Sequence, residues 1–343
     1  MDPVMRFSAL ALVASFTVMT AAPAAAQPEE ACAFFKGKTV ELVVPFSAGG
    51  GFDVYGRMVA KYMGDELGAA NMIVRNQPGA GGLLATNQTW NEKPDGLKIQ
   101  LIAVSGMLAA ELGGAQGVNF KTSGFSWIGR ISGEPDVVAT TPGGTIRTLD
   151  DVKKTGAERE VRIGSTGLGS PQYISAKLLE KILETRTKVV TGFSSTPEVF
   201  ASLGRGELDL FASSLSTADA AEKAKTGQTI WLLGSETIPN RPDILPLEGM
   251  VDAKFGPLVR AHASAIAAGR ALAGPPDLPA DRLKCLREAF DRTLASEKFL
   301  AESRQLNRPV EPLPGAAVAD LVKGASEGAP KEYLELLRES FAQ

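Results

Sequence analysis

The chain has 343 residues, is 44% hydrophobic and carries a formal net charge of −3 at pH 7. This slightly acidic balance argues against a nucleic-acid-binding protein, because a polyanion partner calls for a strongly basic surface. The length exceeds that of one typical domain and favours two. The cysteines Cys32 and Cys285 are too few for a disulfide scaffold; they could pair in an oxidising compartment or remain two buried thiols.

The first residues have the pattern of an export signal. Arg6 precedes a mostly apolar run from Phe7 to Met19, and small residues end at Ala26. A short basic segment, an apolar segment and a small-residue cleavage site are typical of a secretory signal peptide, here residues 1–26. The apolar run is shorter than the roughly 20 residues that a membrane-spanning helix needs. We therefore expect the protein to be exported.

Units of strand, loop and helix follow the signal. The apolar run 38–46 leads through three glycines into a segment with helical spacing. A second strand over 71–76 turns through 77–82 into another helix, and a third strand covers 97–104. Strands that alternate with helices predict an α/β fold with mostly parallel sheets covered on both faces.

The middle of the chain repeats this order. A strand over 161–164 precedes a glycine-serine loop and a helix with Ser170 as N-cap and Pro171 at its first position. The next strand enters a helix with Thr196 as cap, and the strand in 207–214 ends in two serines. Domain crossings are expected near 133–138 and 250–265. The predicted domains are residues 27–137 with 254–343, and residues 138–253.

The sequence offers little for catalysis or metal binding. His262 is the single histidine, so any nucleophile and base pair would depend on it. The letters of a nucleophile elbow occur at 324–328, but the preceding residues have a helical pattern instead of the required strand. Two distant cysteines and one histidine cannot complete a tetrahedral site. We therefore predict no enzyme, no catalytic residue, no metal and no cofactor.

The glycine loops are the candidate binding elements. The loop at 79–85 lacks the third glycine of a dinucleotide motif, and Gln172 replaces it in the loop at 167–172. What these loops share is freed backbone N–H groups, hydroxyl side chains and a nearby helix start, which together favour an anion. Converging from two domains, such loops could hold a small carboxylate without an arginine clamp.

Hydroxyl side chains also lie at the carboxyl ends of predicted strands, where ligands bind in open α/β sheets. On this ground we predict four ligand-binding residues: Ser105, Ser194, Ser195 and Ser213. Asp53 has two interpretations. It can organise the first glycine loop, alone or paired with Arg57 four residues later, or it can accept a hydrogen bond from a ligand hydroxyl, amine or bound water.

An ordered set of motifs resembles one family, the periplasmic receptors of tripartite tricarboxylate transporters, also called Bug receptors. The motifs, in the family's order, are "VPFSAGGGFDVYGRMVAKYM", "VRNQPGAGG", "KPDG", "FSWIG", "IGSTGLGS", "LGRGELD" and "NRPDILPLEG", followed by a similar C-terminal helical segment. The resemblance implies a two-domain periplasmic binding protein with its ligand in the interdomain cleft. It implies that a small carboxylate is passed to inner-membrane transporter subunits, and we expect a monomer.

The resemblance also assigns ligand-binding residues in the first loop and in the glycine-serine loop of the second domain: Phe46, Ser47, Gly49, Gly50, Asp53, Ser165, Thr166, Gly169 and Ser170. Two positions differ from the pattern. Tyr173 replaces the histidine of many members, and "GFSST" replaces a tyrosine and glycine after the next strand; both are expected near the cleft. Two alternatives remain, an exported sensor for a signalling partner and an exported hydrolase.

Overall fold

The computed structural model describes residues 32 to 342 of the chain. The predicted signal peptide therefore lies outside the described residues. Cys32 at the start is bonded to Cys285, with their Cα atoms 5.3 Å apart, so the first of the two alternatives for these cysteines applies.

Twelve strands and twelve α-helices lie within residues 32 to 342. The strands are β1 Thr39–Val44, β2 Asn71–Asn76, β3 Lys98–Ala103, β4 Ser126–Ser132, β5 Asp136–Thr140, β6 Val161–Gly164, β7 Thr187–Val190, β8 Leu210–Ser214, β9 Gln228–Leu232, β10 Leu245–Pro246, β11 Arg270–Gly274 and β12 Leu313–Pro314. The helices are α1 Gly51–Glu66, α2 Leu83–Trp90, α3 Val104–Leu112, α4 Leu149–Glu158, α5 Pro171–Ile182, α6 Thr196–Gly204, α7 Leu215–Lys223, α8 Gly256–Ile266, α9 Ala280–Ala295, α10 Glu297–Gln305, α11 Gly315–Glu327 and α12 Lys331–Phe341.

The strands form two sheets of six. The first has the order β12-β4-β11-β3-β1-β2, and the second has the order β10-β9-β5-β8-β6-β7. Helices flank both sheets, so the predicted two-domain α/β fold is confirmed. The sheets are mixed, however, instead of mostly parallel. β11 runs antiparallel to β3 and β4, and β5 runs antiparallel to β8 and β9.

β12 also runs antiparallel to β4, but β5 and β11 are the strands by which the chain enters a sheet from the other one. The chain leaves β4 of the first sheet, passes through residues 133–135 and starts β5 of the second. It returns after α8 through residues 267–269 into β11. A strand that begins at the interface between the sheets must run opposite to strands that end there. This geometry explains the mixed sheets and brings the starts of β5 and β11 to the cleft.

Each sheet has its own apolar core. Tyr55, Met63 and Phe290 are buried with the first sheet's strands, and Ile174 and Trp231 with those of the second. The last helix, α12, packs against α3, α5 and α8, so the C-terminal segment contacts both units. Within residues 32 to 342, no helix combines the length and apolar character needed to cross a membrane.

Candidate ligand-binding site

The two units meet across a closed cleft at the carboxyl ends of the parallel strands. The amide of Ser47, after β1, donates to the carbonyl of Ser194, after β7, at 3.3 Å. The amide of Gly169, after β6, donates to the carbonyl of Ala80, after β2, at 3.2 Å. Main-chain hydrogen bonds thus join the loops of one sheet to those of the other.

Glycines make this close approach possible. A Cβ atom added at Gly81 would overlap the backbone nitrogen of Ser170, and one added at Gly106 would overlap the carbonyl oxygen of Gly169. Gly81 also has φ +65°, a left-handed backbone conformation that residues other than glycine rarely adopt. The loops can close on each other only because side chains are missing at these positions.

Three neighbouring cavities lie along the cleft. The loop cavity has a volume of about 370 Å³ and is lined by Pro45, Phe46, Pro78, Gly79, Ala80, Gly81, Thr166, Gly167, Leu168, Thr191, Gly192, Phe193 and Ser194. The central cavity, of about 20 Å³, is lined by Phe46, Gly50, Gly51, Phe52, Gln172, Ser195, Thr196, Ser213, Ser214, Thr217 and Arg270. The hinge cavity, also of about 20 Å³, is lined by Phe52, Ser105, Glu134, Asp136, Pro171, Gln172, Ser214, Ile266, Gly269 and Arg270.

The central cavity contains polar atoms without partners. Thr196 Oγ1, Ser213 Oγ and Arg270 Nε are buried, and none of them has a hydrogen-bond partner in the protein. Leaving a buried donor or acceptor unpaired costs about 1–3 kcal/mol, so three such atoms around one cavity need an explanation. A polar ligand that accepts hydrogen bonds would satisfy them together.

Arg270 supplies the cavity's cationic group. Its Nη1 donates to Glu134 Oε1 at 3.2 Å, and its Nη2 donates to Ser214 Oγ at 2.7 Å. The guanidinium carbon lies 5.1 Å from the ring centroids of both Phe52 and Tyr55, within the range of cation–π attraction. These contacts fix the side chain in place, and Nε is left free.

Glu134 and Asp136 form the acidic side of the hinge cavity. Glu134 is well satisfied, since it accepts hydrogen bonds from Tyr55, from Arg270 and from the amide of Ser216. Asp136 accepts from the hydroxyl of Ser175 at 2.8 Å. Burial raises the pKa of Asp136 to about 6, although Ser175 and Arg270 oppose the shift.

Asp53 holds the first glycine loop together. Its Oδ2 accepts from the amide of Gly49 and from Nε of Arg57, both at 2.9 Å, and its Oδ1 accepts from Asn76 at 2.9 Å. Asn76 also donates to the carbonyl of Phe46. Burial would raise the pKa of Asp53, but the hydrogen bonds from Arg57, Gly49 and Asn76 outweigh it and lower that pKa. The carboxylate is engaged within the protein and does not line the three cavities.

His262 lies in a buried chain of hydrogen bonds and does not itself line the three cavities. Its Nε2 is 3.0 Å from Ser175 Oγ and its Nδ1 is 3.3 Å from the hydroxyl of Tyr333. Burial lowers the pKa of His262 to about 3, which keeps the ring neutral near pH 7. Ser175 and His262 are at most 1% exposed. A substrate cannot reach either side chain, so the arrangement speaks against a hydrolase built on His262.

The chain is similar in sequence to two named bacterial proteins. Protein BugT of Bordetella pertussis is 27% identical over 173 residues, which are 50% of this chain and 53% of BugT, so the chain spans about half the length of that relative. A UPF0065 protein of Agrobacterium vitis, from the TAR-I ttuE-ttuC' intergenic region, is 28% identical over 296 residues, 84% of this chain and 78% of that protein. No protein-family model matches the chain.

Solved structures share the fold. The periplasmic binding protein BugD superposes with a TM-score of 0.74 at 19% identity, covering 88% of this chain and 97% of BugD. MatC of Rhodopseudomonas palustris, solved with bound malate, gives a TM-score of 0.73 at 20% identity, covering 88% of this chain and 99% of MatC.

The chain is thus similar in sequence to a Bug protein and a UPF0065 protein, and it shares the fold of the periplasmic binding protein BugD. Some of the residues that we predicted as ligand contacts line the three cavities. They are Phe46, Gly50, Ser195 and Ser213 in the central cavity, Ser105 in the hinge cavity, and Phe46, Thr166 and Ser194 in the loop cavity.

Other predicted residues lie in the loops behind the cavities. Ser165 accepts from the amide of Gly167, and Ser170 caps α5 by accepting from the amide of Tyr173. Ser47 and Gly169 make the main-chain bonds across the cleft, and Gly49 donates to Asp53. Tyr173 was expected near the cleft. It lies instead in the apolar core of the second sheet, where its hydroxyl donates to the carbonyl of Ser340.

The sequence analysis missed a second group of cavity residues: Phe52, Glu134, Asp136, Gln172, Thr196, Thr217 and Arg270. Arg270 is the most consequential, since a carboxylate site without an arginine had been expected. The sequence feature that points to Arg270 is its position directly before the apolar residues "ALAG". Such a residue is rarely buried unless it is paired, so it marks a site worth inspection.

Proposed function

We propose that this protein is a periplasmic receptor that binds a small carboxylate and delivers it to a tripartite tricarboxylate-type transporter in the inner membrane. The observation that carries the proposal is the central cavity, where Thr196 Oγ1, Ser213 Oγ and Arg270 Nε are buried without partners. A carboxylate has about four acceptor positions and can satisfy several donors together. Charge-assisted hydrogen bonds of this kind contribute about 1.5–3 kcal/mol each.

The named relatives support the same class of ligand. MatC was solved with malate, and a second Rhodopseudomonas palustris protein with a TM-score of 0.72 was solved with adipate. In the proposed cycle, the two sheets with their helices act as two domains that open to admit the ligand. The predicted bounds, residues 27–137 with 254–343 and residues 138–253, are shifted so that β5 and α8 belong to the second domain. Opening is needed because the central cavity has room for about one water molecule when the cleft is closed.

Calorimetric titration with a panel of aliphatic and aromatic acids tests the proposal. We expect saturable heat with at least one acid, and a smaller radius of gyration in small-angle scattering when that acid saturates the protein. Mass spectrometry of the purified protein should detect the acid that it carries from the cell. Absence of binding across the panel, with no small acid copurifying, would contradict a carboxylate receptor.

Delivery to a transporter needs a separate test. Cells that lack the protein should lose uptake of the bound acid, and uptake should return when the full chain with its proposed signal peptide is supplied. If these cells take up the acid normally, the protein does not serve transport. Model esters should not be hydrolysed, and substitution of His262 should leave that result unchanged.

A further inference from the structure

The charges around the cleft are few and unequal. Among the residues that line the three cavities in the described part of the chain, the charged side chains are Arg270, Glu134 and Asp136. One cation therefore faces two acids. Arg308 lies just behind them, since its Nη1 donates to Ser216 Oγ and the amide of Ser216 donates to Glu134. It does not line any of these three cavities.

Arg270 is the cation that the central cavity offers to a ligand. One N–H of Nη1 and one N–H of Nη2 are used by Glu134 and Ser214, and Nε is the nitrogen without a partner. Thr196 Oγ1 and Ser213 Oγ supply further hydrogen-bonding atoms at the same cavity. One carboxylate would occupy this set. A second carboxylate directed towards the hinge cavity would meet Glu134 and Asp136 and would be repelled.

On its other side, the central cavity adjoins a cavity lined by uncharged residues. Phe46 lines both the central cavity and the loop cavity, so the two adjoin. The loop cavity, with about 370 Å³, has no charged side chain among its lining residues. Pro45, Phe46, Leu168 and Phe193 give it apolar surface, which suits a hydrocarbon body and offers a second carboxylate no counter-charge.

We propose that the site selects a monocarboxylate with an uncharged, mainly apolar body, and that Arg270 is the residue that recognises its one negative charge. This rests on the proposed function and makes it more specific. The carboxylate lies in the central cavity against Arg270 Nε, Thr196 and Ser213, and the body extends into the loop cavity. Dicarboxylates and tricarboxylates are rejected because their further charges have no partner.

Matched acid pairs test the proposal on the unaltered protein. The first pair is hexanoate and adipate, in which a second carboxylate replaces the terminal methyl group. The second pair is benzoate and terephthalate, in which a second carboxylate replaces the para hydrogen. We expect the monocarboxylate of at least one pair to bind ten or more times tighter than its partner in calorimetry. Equal or tighter binding of the dicarboxylates would overturn the inference and leave a carboxylate receptor standing. Silence with every acid would instead remove the proposed function.

Variants then assign the recognition to Arg270. Arg270→Gln should weaken monocarboxylate binding about 10–100-fold, and Arg270→Lys should weaken it less. Arg205→Gln is the control, because the Arg205 side chain is 60% exposed and pairs with Glu207 on the surface. Circular dichroism and thermal unfolding show whether each variant is folded. Full affinity in folded Arg270→Gln would overturn the role of Arg270, and if that variant does not fold, the acid pairs decide.

Discussion

Gly106 in α3 and Gly169 in the facing loop lie so close that a Cβ atom on Gly106 would overlap the carbonyl oxygen of Gly169. Gly106→Ala should therefore hold the cleft open, although alanine is a better helix former than glycine by about 1 kcal/mol. We expect carboxylate affinity to fall at least tenfold without loss of thermal stability, and small-angle scattering to show no compaction with ligand.

Gly324→Ala is the matched control for this substitution. Gly324 also lies within a helix, α11, and a Cβ atom there would meet no atom within 4 Å. Its affinity for the acid should equal that of the unaltered protein. If Gly106→Ala binds and compacts normally as well, the contact with Gly169 does not govern closure.

Replacement of Asp53 by alanine should destabilise the first loop. The amide of Gly49, Arg57 and Asn76 would each lose an acceptor, and an unpaired buried group costs about 1–3 kcal/mol. We expect the free energy of unfolding in urea to fall by about that amount and ligand affinity to weaken with it. The reason for the weaker affinity is loss of loop order.

Asp243→Ala is the comparison for Asp53. The Asp243 side chain is 61% exposed and pairs with Arg241 at the surface, so its removal should change stability by less than about 0.5 kcal/mol. An Asp53→Ala protein as stable as Asp243→Ala would show that the loop does not depend on the carboxylate.

Asp136 should make the stability of the ligand-free protein depend on pH. Burial raises its pKa from 3.8 to about 6, with Glu134 adding to the shift and Arg270 and Ser175 opposing it; His262, beyond Ser175, stays neutral. The native state thus holds the proton more tightly than the unfolded state. The stabilisation is complete below pH 3.8 and is lost as pH rises through about 6.

Asp136→Asn should remove this dependence. Because one pKa unit corresponds to about 1.4 kcal/mol, the stability of the variant relative to the unaltered protein should rise by about 2 kcal/mol between pH 4 and pH 7.5. Urea unfolding at several pH values measures the difference. A constant difference between the two proteins across this range would contradict the raised pKa.

Reduction of the Cys32–Cys285 disulfide should lower stability substantially. The bond closes a loop of 253 residues, and the unfolded chain gains entropy when it is opened. The loop-length relation gives about 5 kcal/mol for this loop, and real proteins often show less. Urea unfolding with and without reductant measures the effect. The Cys32→Ser, Cys285→Ser double variant should not respond to reductant, whereas equal stability of oxidised and reduced unaltered protein would contradict the prediction.

Sequence patterns predicted the parallel part of the fold well because strand and helix periodicities are local. Ser170 caps α5 as expected, since serine before proline is a local signal. The N-cap residue of α6 is Ser195, one residue before the predicted Thr196. Thr196 instead lines the central cavity, and its Oγ1 has no partner in the protein. Local patterns therefore located most loops of the candidate site.

Arg270 and Asp136 were missed because their placement depends on strand direction. The rule that ligands bind at the carboxyl ends of strands does not reach them, because both residues start antiparallel strands. Arg270 pairs with Ala103 at the end of β3, and Asp136 pairs with Ser214 at the end of β8. The sheet order is needed to see that the start of one strand lies beside the end of its neighbour.

The hydrogen bonds that join the loops across the cleft have a further consequence. Ser47 to Ser194 and Gly169 to Ala80 are bonds between main-chain atoms, so no side-chain polar group takes part in them. The side chains that line the central cavity are separate from them. Under the proposed function, single substitutions at the strand ends would therefore change the preference for one acid over another and leave the main-chain bonds between the loops intact.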